Sequence, residues 1–91
     1  MPIFEWDENK ERSNLRKHKV SFDEAEMVFS DMFSVTIPDP DHSIEENRFI
    51  DIGMSDKNRV LIVVYTEREE KIRIISARKA TKTEQKIYEQ N

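Results

Sequence analysis

Arg59-Val60-Leu61-Ile62-Val63-Val64-Tyr65-Thr66 is an almost unbroken β-branched and aliphatic run. A strand that is apolar on both sides of its pleat is covered on both faces, so this one belongs at the centre of a sheet. After it, Glu67 to Glu70 read as a charged hairpin tip, and residues 71–78, with Ile72, Ile74 and Ile75, read as the next strand. Before it, Asp56-Lys57-Asn58 forms a turn. Residues 48–55 alternate, with Ile50, Ile52 and Met54 on one face and Asp51 on the other. Residues 39–47 make a polar loop. Residues 33–37 make a further strand, ended by Pro38 and Pro40 because proline cannot donate to a ladder.

The N-terminal third is helical. Ile3-Phe4-Glu5-Trp6 has a short strand pattern, and Asp7 is placed to cap a helix over 8–18 whose only large aliphatic residue is Leu15. That helix lies on the surface or against a partner. Ser21 and Glu24 form a capping box for a second helix over 22–30, with Phe22, Ala25, Val28 and Phe29 on one core-facing stripe. Thr81 and Glu84 form another box, opening a last helix of about two turns. The expected fold is α+β: a small antiparallel meander sheet with two N-terminal helices and one C-terminal helix, in a single domain over 1–91.

Hydrophobic residues make up 36% of the chain and charged residues 37%, so the core is small and the surface densely charged. No apolar run is long enough to span a membrane, and residues 1–6 lead straight into charge, unlike a secretory signal. There is no cysteine, hence no disulfide framework or thiolate metal site. These features point to the cytoplasm. The net charge of −4 is unevenly spread. Residues 1–56 carry 6 Lys and Arg against 14 Asp and Glu, a net of −8, whereas residues 57–82 carry 8 against 3, a net of +5. A local basic field is what phosphate binding needs, although basic and acidic halves can also simply neutralise one another.

Three groups could carry chemistry. Asp39, Asp41, His42 and Glu45 share one loop, but their spacing matches no metal-ligand pattern, so the expectation is a solvated loop with no metal and no cofactor. Lys17 and His18 end the first helix, where the dipole favours cations and a phosphate could also be met. Arg68, Arg73, Arg78 and Lys79 are the third group. Arg78-Lys79 stands just before the free N–H groups of the last helix, a plausible anion site, unless these cations bridge to Glu67, Glu69 or Glu70.

Phe4-Glu5-Trp6-Asp7, Lys10, Asn14, Lys17-His18 and Val20-Ser21-Phe22-Asp23-Glu24-Ala25 together resemble the opening of BrnT-type toxins. Val63-Val64-Tyr65-Thr66-Glu67-Arg68 and Ile72-Arg73-Ile74-Ile75-Ser76-Ala77-Arg78-Lys79-Ala80-Thr81 resemble their closing half, so the likeness runs from Phe4 to about Tyr88. Lys19 departs from it, standing where the family commonly has a glycine that allows a left-handed turn; a different turn is expected here. The resemblance implies a RelE-like fold and a metal-independent endoribonuclease that blocks translation. It also implies a BrnA-type antitoxin partner, with operator DNA bound only by the toxin–antitoxin complex.

Cutting RNA through its own 2′-hydroxyl needs a base, an acid and cations for the phosphorane. Phosphate stabilisation is assigned to Arg68 and Arg78, and a neighbouring phosphate to Lys79. Glu67 and Tyr88 are candidates for proton transfer; Lys17, His18 and Arg73 are candidates for RNA binding. The rival readings are a non-catalytic protein-binding module, a degenerate toxin that only binds its partner, and a direct DNA-binding regulator. Asp23, Glu24 and Glu26 in the second helix count against the last.

Overall fold

The structure, a computed structural model, describes residues 2–42 and 47–90. Residues 43–46 of the expected polar loop, Glu45 included, lie outside the described residues. The chain runs β1 (Ile3–Glu5), α1 (Glu8–His18), α2 (Phe22–Glu26), β2 (Val35–Pro38), β3 (Arg48–Met54), β4 (Val60–Arg68), β5 (Lys71–Lys79) and α3 (Lys82–Glu89). The strands form one sheet in the order β1-β5-β4-β3-β2. β2 to β5 are the expected antiparallel meander with β4 central, but β1 adds to β5 in parallel, so the five-stranded sheet is mixed.

Each face of the sheet is covered for a reason visible in the residues. On one side Val20, Phe22, Ala25 and Val28 from the N-terminal helical region pack on Leu61, Val63, Tyr65, Ile72, Ile74 and Ala77. On the other, Tyr88 of α3 packs with Ala80 over Ile52 and Ile62. The second helix is shorter than expected: it is α-helical only to Glu26 and continues as a 3-10 turn over Met27–Ser30. Gly53 in β3 sits beneath this turn, where an added Cβ would come within 2.7 Å of the Val28 Cγ1. Close backbone approach is what requires glycine at that position.

Four local expectations are corrected. Phe33 lies outside β2 and is 60% exposed. Its N–H donates to the Asp31 carboxylate at 3.0 Å, closing a turn that delays the strand. β2 then runs through Pro38, which an edge strand tolerates because one side of its ladder is unpaired. Asp51, expected on a polar face, is buried, since both faces of the sheet are covered. Its Oδ1 accepts from the Thr36 hydroxyl at 2.6 Å and the Tyr65 hydroxyl at 2.9 Å. The Ser21 hydroxyl caps α2, but the Glu24 carboxylate does not complete the box. It turns instead to the Arg59 guanidinium and to the Ser55 hydroxyl at 2.7 Å. Lys19 itself takes the left-handed conformation (φ 60°, ψ 30°), so the turn after α1 is left-handed without glycine.

Candidate functional site

Leu61, Val63 and Tyr65 of β4 lie in the core beneath the N-terminal helices. Alternation along a strand therefore turns Ile62, Val64, Thr66 and Arg68 to the opposite face. Their partners on β5 are Arg78, Ser76, Arg73 and Lys71 respectively, and Thr66 also stands opposite Arg48 of β3. Arg48, Arg68, Lys71, Arg73 and Arg78 thus share the face that carries α3.

A single irregularity makes this possible. Arg73 and Arg78 are five residues apart, a spacing that strict alternation would send to opposite faces. The register shifts between Val64 and Tyr65, where Ile75 has no partner, and this bulge returns Arg73 to the side of Ser76 and Arg78.

The partners of these cations define what each can do. Arg78 Nη1 and Nη2 each donate to a Glu84 carboxylate oxygen at 2.8 Å, rather than pairing with Glu67, Glu69 or Glu70. Glu84 also accepts from the Thr81 N–H at 2.8 Å, so one carboxylate joins β5 to the first turn of α3. The Arg78 guanidinium holds that carboxyl down at about 2. Arg48 Nε donates to Asp39 at 3.1 Å, which commits the best-buried carboxylate of the acidic loop to an ion pair. Arg73 lies 3.7 Å from Glu5 in an exposed pair worth little. Asp7, held below the usual carboxylate range mainly by the Lys10 N–H, also feels the charges of Lys10 and Arg73, so the start of α1 lies beside Arg73.

The expected site residues are not all brought together. Arg68 faces Lys71 at the hairpin end, seven residues along β5 from Arg78, a separation of about 20 Å. The two cannot serve one phosphate. Lys79 and Glu67 point to the other face, beside Leu61 and Ile72 respectively. The Tyr88 hydroxyl donates to Asp31 at 2.6 Å, and that bond pushes the phenol up to about 12. Among the described residues no three His, Asp or Glu side chains form a group able to hold a metal ion. No helix among them is long and apolar enough to cross a membrane.

Lys17 and His18 meet β5 from the other direction. β1 pairs only with Lys71, Ile72 and Arg73, leaving the rest of the β5 edge to α1. Asn14 substitutes for a strand there. Its amide donates to the Ala77 carbonyl at 2.8 Å, accepts from the Ala77 N–H at 3.1 Å, and donates to the Val20 carbonyl at 3.0 Å. Beside it runs a shallow groove of about 230 Å³ lined by Lys10, Ser13, Asn14, Lys17, His18, Ile75 and Ser76. Asn14, Lys10, Lys71 and Arg48 are site-region residues that sequence reasoning missed. Asn14, an amide midway along a charged helix, and its place with Lys10 in the family-like opening were the available signals.

Residues 6–84 match the family described as a ribonuclease toxin, BrnT, of type II toxin–antitoxin systems. The fold is similar to that of the Brucella abortus ribonuclease toxin BrnT, known from a 1.1 Å crystal structure. The match has a TM-score of 0.70 over 90% of this chain and 100% of that chain, at 22% identity. No curated protein matches this sequence.

Proposed function

The chain belongs to the BrnT family of ribonuclease toxins of type II toxin–antitoxin systems, and we propose that it cleaves RNA without a metal ion, arrests translation by doing so, and is neutralised by a BrnA-type antitoxin. The one-sided cation face supports this reading. A chain with net charge −4 nevertheless presents Arg48, Arg68, Lys71, Arg73 and Arg78 together, along a sheet face where a single RNA strand can lie. RelE-like action in the cytoplasm accords with such a substrate. Operator DNA would be met only in the complex with antitoxin, because α2 carries Asp23, Glu24 and Glu26 and no cation.

Among the described residues, Arg73 is held only by an exposed pair with Glu5, and Arg78 is the cation most committed to structure. Arg78 would stabilise the phosphorane only while sharing its guanidinium with Glu84. Loss of such a cation typically lowers the rate about 10²–10³-fold. That Glu84 fork is also the observation favouring a second reading, a non-catalytic chain that only binds its partner.

The test is cleavage of RNA by partner-free protein in excess EDTA. Shortened RNA, with Arg73→Ala and folded Arg78→Ala both impaired, is the expected outcome. Activity that EDTA abolishes and magnesium or zinc restores would overturn the metal-free mechanism. Intact RNA under all conditions would leave the binding reading.

A further inference from the structure

An ordinary surface helix carries its apolar stripe at positions i, i+3, i+4, i+7 and i+8. In α1 those positions, counted from Lys10, are Lys10, Ser13, Asn14, Lys17 and His18, and all five line the groove against β5. Of these only Asn14 is buried and His18 half-buried; Lys10, Ser13 and Lys17 stand exposed along the groove, as does the one large aliphatic residue of the helix, Leu15, at 44%. Asn14 explains how α1 is held, since its amide pairs with the strand edge. It leaves two ammonium groups, an imidazole and two hydroxyls around a concave space, none of them held among the described residues by a side-chain hydrogen bond or salt bridge such as those that hold Arg48 and Arg78.

The groove also adjoins the cation face. Ser76, one of its walls, lies on the same face as Arg73 and Arg78, between them, because of the bulge at Ile75. Lys10, at its other end, and Arg73 both act electrostatically on Asp7. A strand of RNA following the β5 edge therefore passes from arginines on the sheet to lysines on the helix.

We propose that this groove, and not the Glu84-bound Arg78, holds the scissile phosphate of RNA, with Lys10 and Lys17 binding the phosphate, His18 moving the proton and Arg78 left to a flanking phosphate. The proposal rests on the ribonuclease reading above. His18 takes the proton of the 2′-hydroxyl as its oxygen attacks phosphorus. The bond from phosphorus to the 5′-oxygen breaks, and His18 returns the proton to that oxygen. The products are a 2′,3′-cyclic phosphate and a 5′-hydroxyl. Atoms and protons balance, and no oxidant or cofactor is needed. The charged groups lining the groove beside His18 are Lys10 and Lys17 from α1; β5 supplies Ile75 and Ser76, neither of which titrates. Imidazole is the side chain suited to giving and taking a proton near neutrality.

The test uses the whole chain, freed of partner, on a single-stranded RNA oligonucleotide and on the same oligonucleotide with 2′-deoxy sugars, from pH 5 to 9. His18→Gln should fold like the wild type, bind RNA within about threefold, cleave about 10²–10⁴-fold more slowly, and lose one limb of the pH–rate profile. Lys17→Ala should weaken binding and shed about one phosphate contact from its salt dependence. The deoxy oligonucleotide should stay intact. A folded His18→Gln protein that cleaves at the wild-type rate with an unchanged profile overturns the proposal and leaves the ribonuclease reading standing. So does Lys17→Ala with unchanged binding and salt dependence, or a cleaved deoxy oligonucleotide. Wild-type protein that cleaves no RNA overturns both.

Discussion

At the scale of single residues, Lys19 shows a side chain tolerated where backbone geometry asks for none. Its N–H donates to the Leu15 carbonyl at 2.9 Å, closing α1, while its own carbonyl accepts from Arg59 at 3.2 Å. Both bonds use the backbone alone. The left-handed conformation strains any residue with a Cβ, and glycine escapes that strain while losing more freedom on folding. Lys19→Gly should therefore stabilise the protein by roughly 0.5–1 kcal/mol. Thermal unfolding should show a rise of about 2–8 °C. A lower midpoint would mean that the lysine side chain contributes more than its backbone strain removes. Asp51 makes the opposite point. Burial raises its carboxyl, and the Thr36 and Tyr65 hydroxyls only partly offset that. Its place was illegible in the alternation of β3, because alternation identifies two faces without saying that both are covered.

At the scale of elements, the two Ser/Thr-x-x-Glu patterns started their helices where the sequence put them, yet their carboxylates went different ways. Around Glu24, burial alone would raise the carboxyl, but Arg59 and Ser55 draw it out of the cap and hold it below the usual range. At α3 the arginine comes to the box instead, and Glu84 serves the Thr81 N–H and Arg78 together. A four-residue pattern can fix where a helix begins; it cannot see an arginine 35 residues away in the chain. The expected strand over 33–37 began late for the same kind of reason, an Asp31 turn invisible to β-propensity. Glu84 also yields a pH prediction. Its folded value of about 2 lies below the ordinary 4.5, so its stabilisation is complete above about 4.5 and is lost as pH falls toward 2. Glu84→Gln should lower stability at neutral pH by about 1 kcal/mol, since the fork is partly exposed. The same variant should make the acid limb shallower between those two values. Urea unfolding at pH 7, 4 and 2.5 measures both. An acid limb as steep as the wild type's would assign that dependence to Asp31 or Glu24, whose carboxyls are also held low.

At the scale of the whole molecule, the split between an acidic residue range 1–56 and a basic range 57–82 was legible in the sequence. Which cations act together was not, because that depends on one unpaired residue, Ile75, in β5. Lys57 and Arg73 both belong to the basic range. Arg73 lies on the cation face, whereas Lys57 lines a depression with Asp23, Glu24, Glu26 and Asp56 on the acidic side of the fold. If the basic range acts only through its summed charge, losing either lysine or arginine should weaken RNA binding alike. If geometry governs, only Arg73 should matter. Binding to single strands falls with salt by a slope of about −0.7 per phosphate contacted. Arg48 and Arg78 are already engaged by Asp39 and Glu84, so not all five cations of the face exchange for phosphate. The cation face should thus contribute roughly −2 to −3 to the wild-type slope. Arg73→Ala should reduce its size by about 0.7, and Lys57→Ala should leave it unchanged. Titrations of fluorescent single-stranded RNA between low and moderate salt would measure all three slopes. Equal reductions from the two variants would show that RNA responds to the diffuse charge of the segment and not to the face that the bulge assembles.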